Sequence, residues 1–73
     1  MIITKRQIEK IDFEISDSWI EDNGIEVDIY QRDDIEITFN GKQCVKIELN
    51  EFEIKGVKSI QALEKFIDLV YKD

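Results

Sequence analysis

Apolar residues recur with a period of two along most of this chain, and only its two ends break the rhythm. Near the start, Thr4 followed three positions later by Gln7 has the form of a capping box, and Ile3 with Ile8 has the spacing of a hydrophobic staple. These signals predict a short helix over roughly residues 5 to 10. From Ile11 the alternation takes over. Ile11, Phe13 and Ile15 alternate with Asp12, Glu14 and Ser16, and Ile25, Val27 and Ile29 with Glu26 and Asp28. Ile35, Ile37 and Phe39 alternate with Glu36 and Thr38, and Val45, Ile47 and Leu49 with Lys46 and Glu48. Each run reads as a strand with one buried and one solvated face.

The joints read as hairpins. Asp22-Asn23-Gly24 and Asn40-Gly41 tolerate positive φ, and Arg32-Asp33 leaves room only for a tight turn. If Ile35 and Val45 both face the core, the loop between them needs an odd number of residues, because opposed residues of an antiparallel pair share a side. A three-residue loop or a Gly bulge is therefore expected at the second and third hairpins. The first strand slips phase after Ile15, which predicts a bulge near Ser16 to Ser18; beyond Leu49 the phase moves to Phe52 and Ile54, which predicts a bend or bulge at Asn50-Glu51. After Gly56, Ser59 can cap a last helix with Ile60, Leu63, Phe66, Ile67 and Val70 on one face. Gln61, Glu64, Lys65, Asp68 and Lys72 fall on the other. The expected fold is α+β in one domain over residues 1–73: a short N-terminal helix, a four-stranded antiparallel meander, and a C-terminal helix packed on one sheet face, with Phe66 buried.

Charge sharpens the picture. The chain carries 10 Lys and Arg against 17 Asp and Glu, a net −7, which disfavours direct binding to nucleic acid or to an anionic membrane. The excess is local: residues 12–36 hold ten acids and only Arg32, for −9, whereas residues 1–11 come to +2 and residues 37–73 to zero. With odd-numbered apolar residues beneath the helix, Asp12, Glu14, Glu26, Asp28, Asp34 and Glu36 would share the uncovered face. Spacings of about 6.8 Å along a strand and 4.8 Å between strands make that a grid of carboxylates. Like charges opposite one another destabilise a sheet, so a function is sought for them.

The expected function is binding to a basic protein, with the grid acting as a nucleic-acid mimic in a Lys/Arg-lined groove and Trp19 and Asp22 at its rim. In size and acidity the chain resembles the small inhibitors that phages and mobile elements make against host nucleases, including anti-CRISPR proteins and uracil-glycosylase inhibitors; the resemblance is one of composition. The rival reading is an antitoxin or immunity-type module, or an edge-strand homodimer, whose acidic face only keeps it soluble. Catalysis is not expected, because there is no His and the acids lie on an open face with nothing to raise their pKa. No cofactor or metal is expected either: Glu21-Asp22-Asn23-Gly24 lacks the spacing of a calcium loop, and the single Cys44, read as facing outward, cannot make a zinc site or an internal disulfide. A reduced, cytoplasmic setting follows, with neither a signal-peptide h-region nor a membrane-spanning run.

Overall fold

A computed structural model describes residues 3–71, so the expected placement of Lys72 lies outside the described residues. The first helix, α1 (Lys5–Glu9), begins as its sequence requires. The Thr4 hydroxyl accepts from the Gln7 amide at 3.2 Å and the Gln7 side-chain oxygen accepts from the Thr4 amide at 3.0 Å. Five residues are too few to hold a helix by themselves, and α1 is held by its staple: Ile3 and Ile8 are both buried in the core. After it, Asp12 adopts φ 73° and the Phe13 amide donates to the Ile8 carbonyl. The alternation of Ile11 and Phe13 therefore belongs to a turn that seats Phe13 in the core, not to a strand.

Five strands follow: β1 (Glu14–Ile20), β2 (Glu26–Arg32), β3 (Ile35–Asn40), β4 (Gln43–Leu49) and β5 (Phe52–Glu53), antiparallel in the order β1-β2-β3-β4-β5. The expected bulge in β1 is present, as register shifts between Ile15 and Asp17. The expected bend after Leu49 is a two-residue turn, Asn50 and Glu51, both with positive φ, and it adds the short β5 to the meander.

The second and third hairpins differ from expectation. Arg32 pairs with Ile35 and Asn40 with Gln43, so both loops have two residues. Because opposed residues share a side, the even-numbered residues of β2 lie with the odd-numbered residues of β3: Asp28 opposite Phe39, Tyr30 opposite Ile37. The whole of β2 is thus inverted relative to its apolar pattern. In the third hairpin Phe39 pairs with Cys44 and Thr38 with Lys46, leaving Val45 as an extra residue. That bulge returns Ile47 and Leu49 to the core side, and it is seated at Val45, not at Gly41. Cys44 faces inward and is buried.

The second helix, α2 (Ile60–Val70), starts at Ser59, whose hydroxyl accepts from the Ala62 amide at 3.1 Å. Leu63 and Ile67 are its buried anchors; Phe66 is only half-buried against them and Val70 is exposed, so the apolar stripe ends a turn early. Both helices supply the core on one side of the sheet, joined by Tyr30, Ile35, Ile37, Phe39, Cys44 and Ile47. No residue of β1 enters that core, and all seven are exposed.

Candidate acidic interface

The six acids expected on one face are dispersed, two of them by the inversion of β2 and two because they lie in turns. Asp12 sits in the turn after α1, and Asp34 in the β2–β3 loop, where its amide donates to the Tyr71 hydroxyl at 3.1 Å. Glu26 and Asp28 lie on the helix side, level with Phe39 and its neighbours. Only Glu14 and Glu36 remain on the uncovered face. Asp22 is exposed in the first hairpin turn, whereas Trp19 does lie on the uncovered face, opposite Val27, with its indole N–H donating to Glu21 Oε1 at 3.1 Å.

Asp28 is unavailable to any partner. It is 3% exposed, accepts from Lys5 Nζ at 2.5 Å and from the Ser18 hydroxyl at 2.6 Å, and so joins α1, β1 and β2. The Lys5 hydrogen bond, then that of Ser18, hold its carboxyl below the usual carboxylate range despite burial, and the same bond raises the Lys5 pKa. Lys5 Nζ also stands 5.8 Å from the centroid of the Phe39 ring. Arg32, another helix-side residue, donates to the Ile11 carbonyl at 2.9 Å.

The uncovered face carries a different array. Glu14 pairs with Gln31, Gln31 with Glu36, Glu36 with Glu48, and Glu48 with Glu53. These five residues form one row across all five strands, four carboxylates and one carboxamide, about 19 Å long at the usual strand spacing. The next row inward is Asp17, Ile29, Thr38 and Lys46, and the one beyond it Trp19, Val27, Asn40 and Gln43. Lys46 is the one cation of this face among the strand residues, with Nζ 3.5 Å from Glu48. Glu48 and Glu53 were legible as strand or near-strand acids, but their alignment with Glu14 and Glu36 depends on two loop lengths and two bulges. Loop parity was the signal that could have found it.

Among the described residues no cluster of acids and Cys is placed to hold a metal ion, and no helix is long and apolar enough to cross a membrane. Burial pushes the Cys44 thiol above its ordinary pKa, which disfavours the reactive thiolate. No protein-family model, curated protein or solved structure gives a significant match to this chain.

Proposed function

We propose that the protein is a small acidic inhibitor that presents its uncovered sheet face to the basic groove of a nucleic-acid-binding protein and excludes the nucleic acid. The observation that carries this reading is the row Glu14–Gln31–Glu36–Glu48–Glu53. Glu36 directly faces Glu48, and Glu48 faces Glu53, each contact costing a few tenths to about 1 kcal/mol of fold stability. A line of closely spaced negative charge on a face without helix cover matches what a Lys/Arg-lined groove is built to receive. Nuclease inhibition of the anti-defence kind is one role such a mimic serves. A reducing, cytoplasmic setting belongs to the same reading, since Cys44 is a free thiol held in the core.

The test changes Glu36, Glu48 and Glu53 together to Gln. The partner is first captured from host lysate at low salt; displacement of labelled nucleic acid from it is then titrated with the parent and the triple variant. The parent should compete with a steep salt dependence, and the variant should lose roughly tenfold or more through slower association. The variant should melt no lower than the parent, because like-charge contacts have been relieved. Equal competition by both at physiological salt would refute the reading and leave the row as a solubility device.

A further inference from the structure

The two edges of the sheet differ. One ends in β5, two residues long, which is a common way of blunting an edge; the other is β1, seven residues, all exposed. The Glu21 amide donates to the Ile25 carbonyl at 2.9 Å, and the Glu26 carbonyl accepts from the Gly41 amide on the β3 side at 2.7 Å. Antiparallel bonds alternate, so Trp19 is bonded to Val27 while the backbone groups of Ser18 and Ile20 point away from β2. The Ser18 amide is covered from within its own strand, donating to the Asp17 carboxylate at 2.8 Å. Side chains along this edge are sorted by face. Glu14, Asp17 and Trp19 lie on the uncovered face, with Glu21 at the indole; Ile15 and Ile20, 55% and 70% exposed, lie on the helix side.

We propose that β1 is an acceptor edge for an extended segment of the partner in which cationic and apolar residues alternate, added as a sixth strand. The proposal rests on the reading that the partner is basic. In such a strand the cations stand beside Glu14 and Asp17 and over the Trp19 ring, while the apolar residues cover Ile15 and Ile20. The incoming backbone takes over the Ser18 amide, and the Asp17 carboxylate is released from capping it to meet a cation. A second copy of this chain fits worse. The charged residues of its β1 are the acids Glu14 and Asp17 alone, so self-pairing gathers the acids of both copies on one face with no cation to meet them, and in the register centred on Asp17 opposes Asp17 to itself.

The probe is a synthetic peptide of alternating Lys and Val, as long as β1, with an alternating Glu and Val peptide as control; the readout is amide hydrogen exchange across the full chain. The Lys peptide should slow exchange at Ser18 and Ile20 by about tenfold or more, with little change at Trp19, and the Glu peptide should not. Protection that persists in the Glu36→Gln/Glu48→Gln/Glu53→Gln variant would support the edge even if the acidic row proved idle. Ile20→Pro, which removes one outward amide at an edge where Pro is tolerated, should weaken peptide binding about tenfold; the exchange measurement on the parent stands whether or not that variant folds. Binding that perturbs Gln31, Glu36 and Glu48 without protecting Ser18 and Ile20 would overturn the inference and leave the acidic face as the sole interface. Absence of binding at millimolar peptide, or protection that grows with protein concentration without peptide, would overturn it too, the latter in favour of a second copy.

Discussion

Replacing Lys5 with Met keeps most of the aliphatic stem and removes only the ammonium that Asp28 faces. Asp28, 3% exposed in the parent, is then left with the Ser18 hydroxyl as its remaining side-chain donor. Breaking a buried ion pair by deleting one partner costs about 3 to 5 kcal/mol. The lower end applies, because the Lys5 side chain is 27% exposed and its charge is partly solvated already. A loss of about 3 kcal/mol is a large part of the roughly 4 to 11 kcal/mol expected for this length, and corresponds to a Tm lower by about 12 to 24 °C. Lys5→Met/Asp28→Leu should recover most of that loss, since no buried charge is left unpaired. The pH dependence has a definite sign. Asp28 has a lowered pKa in the fold, so its contribution is present above the unfolded carboxyl pKa of about 4 and is lost as pH falls through the folded value. Lys5 has a raised pKa, so its contribution is present below about pH 10 and is lost as pH rises through the folded value. In Lys5→Met the sign for Asp28 reverses, because burial without a cation favours the protonated acid. The gap between parent and variant, measured by urea melts followed by circular dichroism, should therefore narrow from pH 7 towards pH 4. A cost below about 0.5 kcal/mol, the worth of an exposed pair, or a gap indifferent to pH, would refute the anchoring role of this pair.

Three further outcomes are expected. Leu63→Ala should cost about 2 to 5 kcal/mol in urea melts, and the half-buried Phe66→Ala less than the 3 to 5 kcal/mol of a fully buried Phe; the reverse order would mean that α2 is rotated on the sheet. Glu51→Gly should raise stability by about 0.5 to 1 kcal/mol, because Glu51 sits at φ 72°, where a side chain is strained by more than Gly loses in chain entropy; an unchanged or lower Tm would contradict that turn. Cys44 should resist iodoacetamide at neutral pH in the folded chain and react once urea unfolds it, and prompt labelling of the native protein would contradict its inward placement.

Local signals in this sequence were reliable where the physics is local. Thr4 with Gln7 and Ser59 with Ala62 form caps because both partners lie within one turn, and the bulge after Ile15 is visible as Trp19 and Ile20 side by side. Facing is not readable from strand alternation alone, because it depends on loop parity. Ile25, Val27 and Ile29 alternate as a buried stripe should, yet the two-residue loop at Asp33 and Asp34 forces Asp28 and Tyr30 inward instead. The fold tolerates this inversion through specific neighbours: Lys5 and Ser18 neutralise and satisfy Asp28, and the Tyr30 hydroxyl reaches Glu9 at 3.4 Å. Neither partnership is readable from strand alternation, since both span more than one element.

The same inversion changes what the charge imbalance means. Along the chain the −9 of residues 12–36 reads as a property of one sheet face, but its buried member, Asp28, is matched by Lys5 of the +2 segment that precedes it, which α1 carries to the helix side. Arg32, the only cation within the acidic segment, also faces that side and is bonded to the Ile11 carbonyl. Cations are thus drawn to the covered side of the sheet, and the opposite face is left with Lys46 against Glu14, Asp17, Glu36, Glu48 and Glu53. Its local field is more one-sided than a net charge of −7 implies. The strands that supply this face draw acids both from the −9 segment and from the segment of zero net charge, since Glu48 and Glu53 belong to the latter. Register across the meander, and not charge along the chain, is what assembles the row, so a change of loop length that leaves every acid in place would still dismantle it.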